Sequence, residues 1–191
     1  MLSVLVIDES RSRAGEICAG LALAGYQVAA ILAGAENLTA EVERLHPDVI
    51  LIDTDSPSRD TLENLAAMNK HMPRPVVVFT QEEAQDTMRD AVKAGVSAYV
   101  VDGLDPKRIK TIVDVARARF EDTQALRREL DEISQKLSDR KLVDKAKGVL
   151  MKARGLDEDA AYHAMRKLAM ERGQTMAKVA RDVIDMARVL L

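Results

Sequence analysis

The segment Leu2-Ser-Val-Leu-Val-Ile-Asp-Glu9 decides how the first half of the chain folds, because a nearly unbroken apolar run ends there in two acidic residues. Short continuous runs of Val, Ile and Leu are typical of parallel strands that are covered on both faces. After the first run, Leu2–Ile7, four more follow at Gln27–Ile31, Val49–Ile52, Val76–Phe79 and Ala98–Val101. These runs predict five buried parallel strands.

Segments of helical length separate the five runs. The segment Arg11–Ala24 ends at Gly25 and the segment Glu83–Ala94 ends at Gly95. Glycine readily adopts the left-handed backbone that closes a helix. The alternation of strand and helix over residues 2–104 predicts an α/β fold with a doubly wound, flavodoxin-like parallel sheet of five strands.

The rest of the chain is predicted to be helical. Asp105-Pro106 provides an N-cap and a first-turn proline, and no helix breaker follows before Gly148. Four apolar residues of this helix have the spacing of a coiled-coil seam, namely Leu126, Leu130, Ile133 and Leu137. The seam favours a homodimer, and the alternative is that it packs on its own domain.

Two shorter helices are predicted after Gly155. Acidic residues from Asp157 onward suit the start of the first helix, Gly173 closes it, and Thr175 can cap the second. The chain is thereby divided into an α/β domain (1–104), a helical coiled-coil linker (105–138) and a small three-helix all-α domain (139–191).

Charge is distributed unevenly along the chain. Residues 1–104 contain 8 Lys and Arg against 16 Asp and Glu, whereas residues 105–191 contain 20 against 15. A polyanionic partner would therefore meet the second half. No apolar run approaches the roughly 18 residues of a membrane helix, so no membrane contact is expected. The single cysteine, Cys18, fits a reducing, cytoplasmic environment.

Four polar residues stand where predicted strands end. Asp8 and Glu9 follow the first strand, and Asp53 and Thr80 follow the third and fourth. Ligands of doubly wound sheets bind beyond the carboxyl ends of the strands, and a Mg²⁺ ion would relieve the repulsion of three carboxylates there. The pattern favours a Mg²⁺ site formed by Asp8, Glu9 and Asp53 over three unrelated loop acids.

Basic residues of the long helix fall on two stripes. One contains Gly148 together with Lys141, Lys145 and Lys152, and the other contains Arg140, Lys147 and Arg154. The glycine could let a phosphate backbone or a base approach the helix, or it could admit a neighbouring helix. The residues themselves favour neither reading.

On the following helix, Tyr162, Arg166 and Ala169 lie along one line. Tyr162 could stack on an unpaired base, and Arg166 could bind a phosphate or a guanine edge. The alternative is that Tyr162 is a core aromatic with its hydroxyl at the rim, which is the commoner fate of a tyrosine.

Residues 1–104 resemble the receiver domain of response regulators. The resemblance implies that Asp8 and Glu9 are the acidic pair, Asp53 the phosphoacceptor, and Thr80 and Tyr99 the switch residues. At the third switch position the chain has Asp102 where receivers have a lysine that pairs with the phosphoryl oxygens. Because a phosphoryl group carries about −1.5 to −2 charges, an aspartate there adds repulsion, and phosphorylation is expected to control this protein poorly.

From Ser138 onward the chain resembles the ANTAR domain. The match is carried by Ala146-Lys147-Gly148-x-Leu150-Met151, then Gly155, then Ala161-Tyr162-x-x-Met165-Arg166-x-x-Ala169-Met170. ANTAR domains bind paired hairpins of leader transcripts and prevent a terminator from forming. The resemblance implies an RNA face made of Lys141, Lys145, Lys147, Gly148, Tyr162 and Arg166.

Within the family, the Asp102 variant resembles the nitrate- and nitrite-responsive antiterminators. This implies a non-enzymatic regulator of nitrate assimilation genes that a sensor protein sequesters. One alternative is a phosphorylation-gated regulator with a DNA-binding output, but the last helix is mostly apolar. The other is a Mg²⁺-dependent phosphohydrolase with Asp53 as nucleophile, for which Asp55 lies in an unsuitable context.

Overall fold

The computed structural model describes residues 1–9, 14–81, 83–101, 105 and 107–190. Its five strands are β1 (Ser3–Asp8), β2 (Gln27–Leu32), β3 (Val49–Asp53), β4 (Val76–Phe79) and β5 (Ala98–Val100). They form one parallel sheet in the order β2-β1-β3-β4-β5. The predicted doubly wound α/β fold is confirmed.

Both faces of the sheet are covered, which explains the continuous apolar runs. Along β1, Val4 and Val6 belong to one buried cluster, whereas Leu5 and Ile7 belong to another. Four helices alternate with the strands, namely α1 (Ala14–Leu23), α2 (Leu38–Leu45), α3 (Arg59–His71) and α4 (Gln85–Lys93). Gly25 and Gly95 have φ of 82° and 97°, the left-handed backbone predicted for the ends of α1 and α4.

A single helix, α5, runs from Ile109 to Arg154 and includes the predicted coiled-coil segment. Its first turns belong to the α/β unit, because Ile109, Val113 and Ala116 are buried in one of the two clusters on the sheet. This compact unit spans Met1–Gln124, so it extends further than the division predicted after residue 104. Asp105 accepts a hydrogen bond from the backbone N–H of Lys107 at 3.0 Å, while Pro106 lies outside the described residues.

The second unit, Ala125–Leu191, contains the rest of α5 with α6 (Glu158–Arg172) and α7 (Met176–Leu190). Gly155 and Gly173 end α5 and α6 with φ of 64° and 58°. Asp157 caps α6, because its carboxylate accepts the backbone N–H of Ala160 at 2.7 Å. The three helices share a hydrophobic core of six buried residues: Ala146, Met165, Ala169, Val179, Ala180 and Ile184.

The seam residues of α5 project away from the described core. Leu126, Leu130, Ile133 and Leu137 are between 54% and 67% exposed. The alternative that the seam packs on its own domain is therefore wrong for the single chain. None of the described helices is both long enough and apolar enough to cross a membrane.

Candidate receiver pocket and nucleic-acid interface

The structure brings three of the predicted pocket residues to the carboxyl edge of the sheet. Asp8 and Asp53 end neighbouring strands as direct register partners, and both are buried. Thr80 follows β4 and is also buried, and its hydroxyl donates a hydrogen bond to the carbonyl oxygen of Asp55 at 2.8 Å. Two carboxylates held close together out of water favour a cation as a neighbour.

The carboxylate of Glu9 has threonine partners at both of its oxygens. Its Oε2 accepts a hydrogen bond from the Thr54 hydroxyl at 2.6 Å, and its Oε1 accepts one from the Thr61 hydroxyl at 2.8 Å. Across the described parts of the chain, no three acidic, histidine or cysteine side chains form a group that could hold a metal ion. Threonine hydroxyls satisfy the third carboxylate of the predicted Mg²⁺ site. Asp8 and Asp53, as buried register partners, are two side chains that could hold a cation, and the part of Glu9 in such a site stays a prediction.

The other two predicted switch residues are Tyr99 and Asp102. Tyr99 lies in β5, is half-buried and packs against the cluster on one face of the sheet. Asp102 lies outside the described residues. The hydroxyls of Thr54, Ser58 and Thr61 went unnoticed in the sequence, although all three lie within eight residues after the predicted phosphoacceptor, Asp53.

On α5, one row of predicted RNA-binding residues faces away from the helical core. Lys141 and Lys145 are exposed one turn apart, and Gly148 follows within the next turn. A side chain added at Gly148 would meet nothing within 4 Å. Within this chain, therefore, Gly148 does not serve to admit a neighbouring helix, and the row is open to a partner.

Lys147 does not belong to this row. Its ammonium lies 2.8 Å from the carboxylate of Asp144 and 2.7 Å from that of Glu158, and its side chain is only 15% exposed. Hydrogen bonds to Asp144 and Glu158 raise the pKa of Lys147 and favour its charged form. The lysine thus ties α5 to the first turn of α6, which is a structural contact.

On α6, Tyr162 and Arg166 are exposed one turn apart. Tyr162 is 40% exposed, and its ring meets that of His163 edge-on, with ring centroids 6.1 Å apart. Ala169, which the helical spacing placed on the same line, is buried in the core. A half-exposed aromatic ring beside an exposed guanidinium is suited to stack on and hydrogen-bond an unpaired base.

Comparisons with known proteins identify one family in each half of the chain. Residues 4–114 match the response regulator receiver domain family, and residues 131–184 match the ANTAR domain family. The chain is similar to the transcriptional regulatory protein PdtaR of Mycobacterium tuberculosis (strain ATCC 25618 / H37Rv), at 32% identity over 162 residues. That alignment covers 84% of this chain and 78% of the relative.

Two further similarities cover less of the chain. The nitrate regulatory protein of Klebsiella oxytoca is 36% identical over 75 residues, which is 39% of this chain and 19% of that protein. A CheY-like response regulator receiver domain protein from Methanospirillum hungatei JF-1 superposes with a TM-score of 0.56 at 20% identity. The superposition covers 64% of this chain and 98% of that structure, and it supports the fold alone.

The receiver match covers more than half of the chain, and a relative of similar length aligns with most of it. A receiver domain joined to an ANTAR output domain is the architecture of a response regulator. The chain belongs to the response regulators that combine a receiver domain with an ANTAR domain.

Proposed function

We propose that this protein binds paired hairpins of a leader transcript through its ANTAR domain and prevents a terminator from forming. The observation that carries the proposal is the open row of Lys141, Lys145 and Gly148 on α5, with Tyr162 and Arg166 exposed on α6. The lysines supply attraction to phosphates, and Tyr162 and Arg166 supply stacking and hydrogen bonding to bases that are not paired.

Lys147 contributes to this face indirectly in the proposal. Its contacts with Asp144 and Glu158 hold the start of α6 against α5. The relative placement of the lysine row and of Tyr162 depends on that junction. We therefore assign Lys147 as a positioning residue, while the direct contacts belong to Gly148 and the four exposed residues Lys141, Lys145, Tyr162 and Arg166.

DNA binding is the weaker reading of the output domain. The described exposed cations of α7 are Lys178, Arg181 and Arg188. Lys178 lies 2.9 Å from Asp182, and Arg188 lies 3.8 Å from Asp185. A helix that must enter the major groove needs several side chains available for base edges, so α7 is poorly equipped for that role.

Gel shifts with a two-hairpin leader RNA and with duplex DNA of equal length test the proposal. Lys141→Ala and Arg166→Ala should weaken RNA binding by about 1–3 kcal/mol each, and Lys141→Ala should lower the salt slope by about 1. Lys136→Ala is the control, since it also removes an exposed lysine of α5 but lies outside the proposed RNA face. Tighter binding to duplex DNA, or equal losses in all three variants, would exclude the assigned face.

The assembly proposed is a homodimer through the seam of α5. Four apolar side chains more than half exposed on one helical stripe have the 4-3-4 spacing that a partner helix covers in a coiled coil. A dimer would present two ANTAR domains together, which suits a target with two hairpins.

Control is proposed to pass through a sensor protein that sequesters the regulator and not through phosphorylation. The sequence resemblance to the nitrate- and nitrite-responsive antiterminator NasT supports this, as does Asp102 at the position of the receiver lysine. The related nitrate regulatory protein makes nitrate assimilation genes the proposed target. Phosphorylation shifts the equilibrium between the inactive and active conformations only if the phosphoryl group interacts differently with the two. The receiver lysine is a major source of that difference, and this chain has Asp102 in its place.

The test is a reporter gene behind the leader hairpins, in cells that carry wild-type or Asp53→Asn protein. Induction should be largely retained in the Asp53→Asn cells. Loss of induction at normal protein level would restore phosphorylation as the trigger, and co-purification from induced and uninduced cells would identify the partner.

A further inference from the structure

The carboxylate of Glu9 is held by residues distant in the sequence. Thr54 and Thr61 reach it from the loop after β3 and from the first turn of α3, 45 and 52 residues further along the chain. Both threonines are buried, at 3% and 4% exposure. The backbone N–H of Glu9 also donates to the carbonyl oxygen of Asp53 at 3.2 Å, so Glu9 is fixed at both its main chain and its side chain.

The direction of each hydrogen bond follows from the number of protons. An ionised carboxylate only accepts, so the single hydroxyl proton of Thr61 points to Glu9. Ser58 must then be the donor in its 2.9 Å contact with the Thr61 hydroxyl, while the Ser58 oxygen accepts the backbone N–H of Thr61 at 3.1 Å. The Thr54 hydroxyl lies 2.6 Å from Glu9 and 3.2 Å from the carbonyl of Ser56, and its proton goes to the nearer, charged acceptor.

These bonds form a connected chain that ends on the negative charge of Glu9. Successive hydrogen bonds polarise one another, and bonds to a charged acceptor are stronger than neutral ones. Ser58 is also the N-cap of α3, so this series of hydrogen bonds begins at the positive end of a helix. The carboxylate of Glu9 is therefore held in place by hydrogen bonds from side chains of this chain.

We propose that Thr54, Ser58 and Thr61 form a hydroxyl lock that holds Glu9 out of metal coordination, so that the receiver pocket keeps its arrangement without a divalent cation. Mg²⁺ requires near-ideal octahedral geometry, so a third carboxylate ligand must turn fully toward the ion. A Glu9 carboxylate that turns toward such an ion would lengthen or break its bonds to the two threonine hydroxyls. The lock goes beyond the proposed RNA function and does not depend on it.

The test is a titration with Mn²⁺ as the probe, in which electron paramagnetic resonance measures the free hexaaqua ion. The full-length wild-type chain is compared with the double variant Thr54→Val, Thr61→Val, which keeps side-chain shape but removes both hydroxyls. Thr111→Val, at an exposed position of α5, is the control. The double variant should bind Mn²⁺ at least about tenfold more tightly, since hydrogen bonds to charged groups are among the stronger ones, and competition with MgCl₂ should show the same order.

Equal dissociation constants in wild type and double variant would overturn the lock. Circular dichroism checks the fold of the variant, and a second measurement needs no variant. At about 10 mM MgCl₂ the urea midpoint of the wild-type chain should not move, because an ion that hardly binds adds no stability by mass action. A clear rise of the midpoint would overturn the proposal as well.

Discussion

Replacing Gly148 of α5 by alanine should stabilise the folded protein and weaken its binding to RNA. The residue lies inside the helix, and an added Cβ would meet nothing within 4 Å. Alanine therefore costs no steric strain in the free protein. It also restricts the unfolded chain and improves helix propensity, so the folded state should gain about 0.5–1 kcal/mol.

The effect on RNA should have the opposite sign. If a phosphate backbone or a base lies against Gly148, the new methyl group holds it away from the helix and strains the neighbouring contacts of Lys141 and Lys145. The loss expected for one good contact is about 1–3 kcal/mol, which corresponds to a hairpin affinity roughly five- to 150-fold weaker.

Two measurements on the full-length Gly148→Ala protein test these opposite effects on stability and RNA affinity. Urea unfolding followed by far-UV circular dichroism gives the stability, and fluorescence anisotropy with a labelled two-hairpin RNA gives the affinity. Ser134→Ala is the matched control, because it also improves helix propensity at an exposed position of α5 but lies outside the proposed face. A stabilised Gly148→Ala protein with wild-type RNA affinity would refute the close approach of RNA at this glycine.

Three further outcomes are expected. Lys147→Ala should speed amide hydrogen exchange in the first turn of α6 and weaken hairpin binding, whereas Arg166→Ala should weaken binding without changing exchange. Leu130→Lys should give a monomer in analytical ultracentrifugation with an unchanged helical signal, since the side chain is exposed within one chain. Burial and the hydrogen bond to Asp114 raise the pKa of Tyr26 to about 12, so the unfolded chain loses the phenol proton first and stability falls as pH rises from about 10 to 12. In Tyr26→Phe urea titrations this part of the fall should disappear; an identical alkaline profile would contradict the pKa shift.

Much of the fold could be predicted because its signals are local. The apolar runs predict strands covered on both faces, and the glycines at 25 and 95 close helices that precede β2 and β5. The seam of α5 is likewise a matter of spacing along one helix, and its exposure in the single chain agrees with a surface intended for a partner. The extent of the receiver unit was harder to predict, because the burial of Ile109 and Val113 on the sheet leaves no break in the helix itself.

Two contacts show where local patterns stop being informative. Helical periodicity grouped Lys147 with other cations, but the turn after Gly155 brings Glu158 to within 2.7 Å of its ammonium. Strand order places β1 beside β3, and this alone brings Glu9 to the hydroxyls of Thr54 and Thr61. Strands, helices, the seam and the ANTAR motif are determined by the sequence itself, because each depends on neighbours within a few residues. The partners of the charged side chains were decided only by tertiary structure, since those pairs meet when separate elements pack.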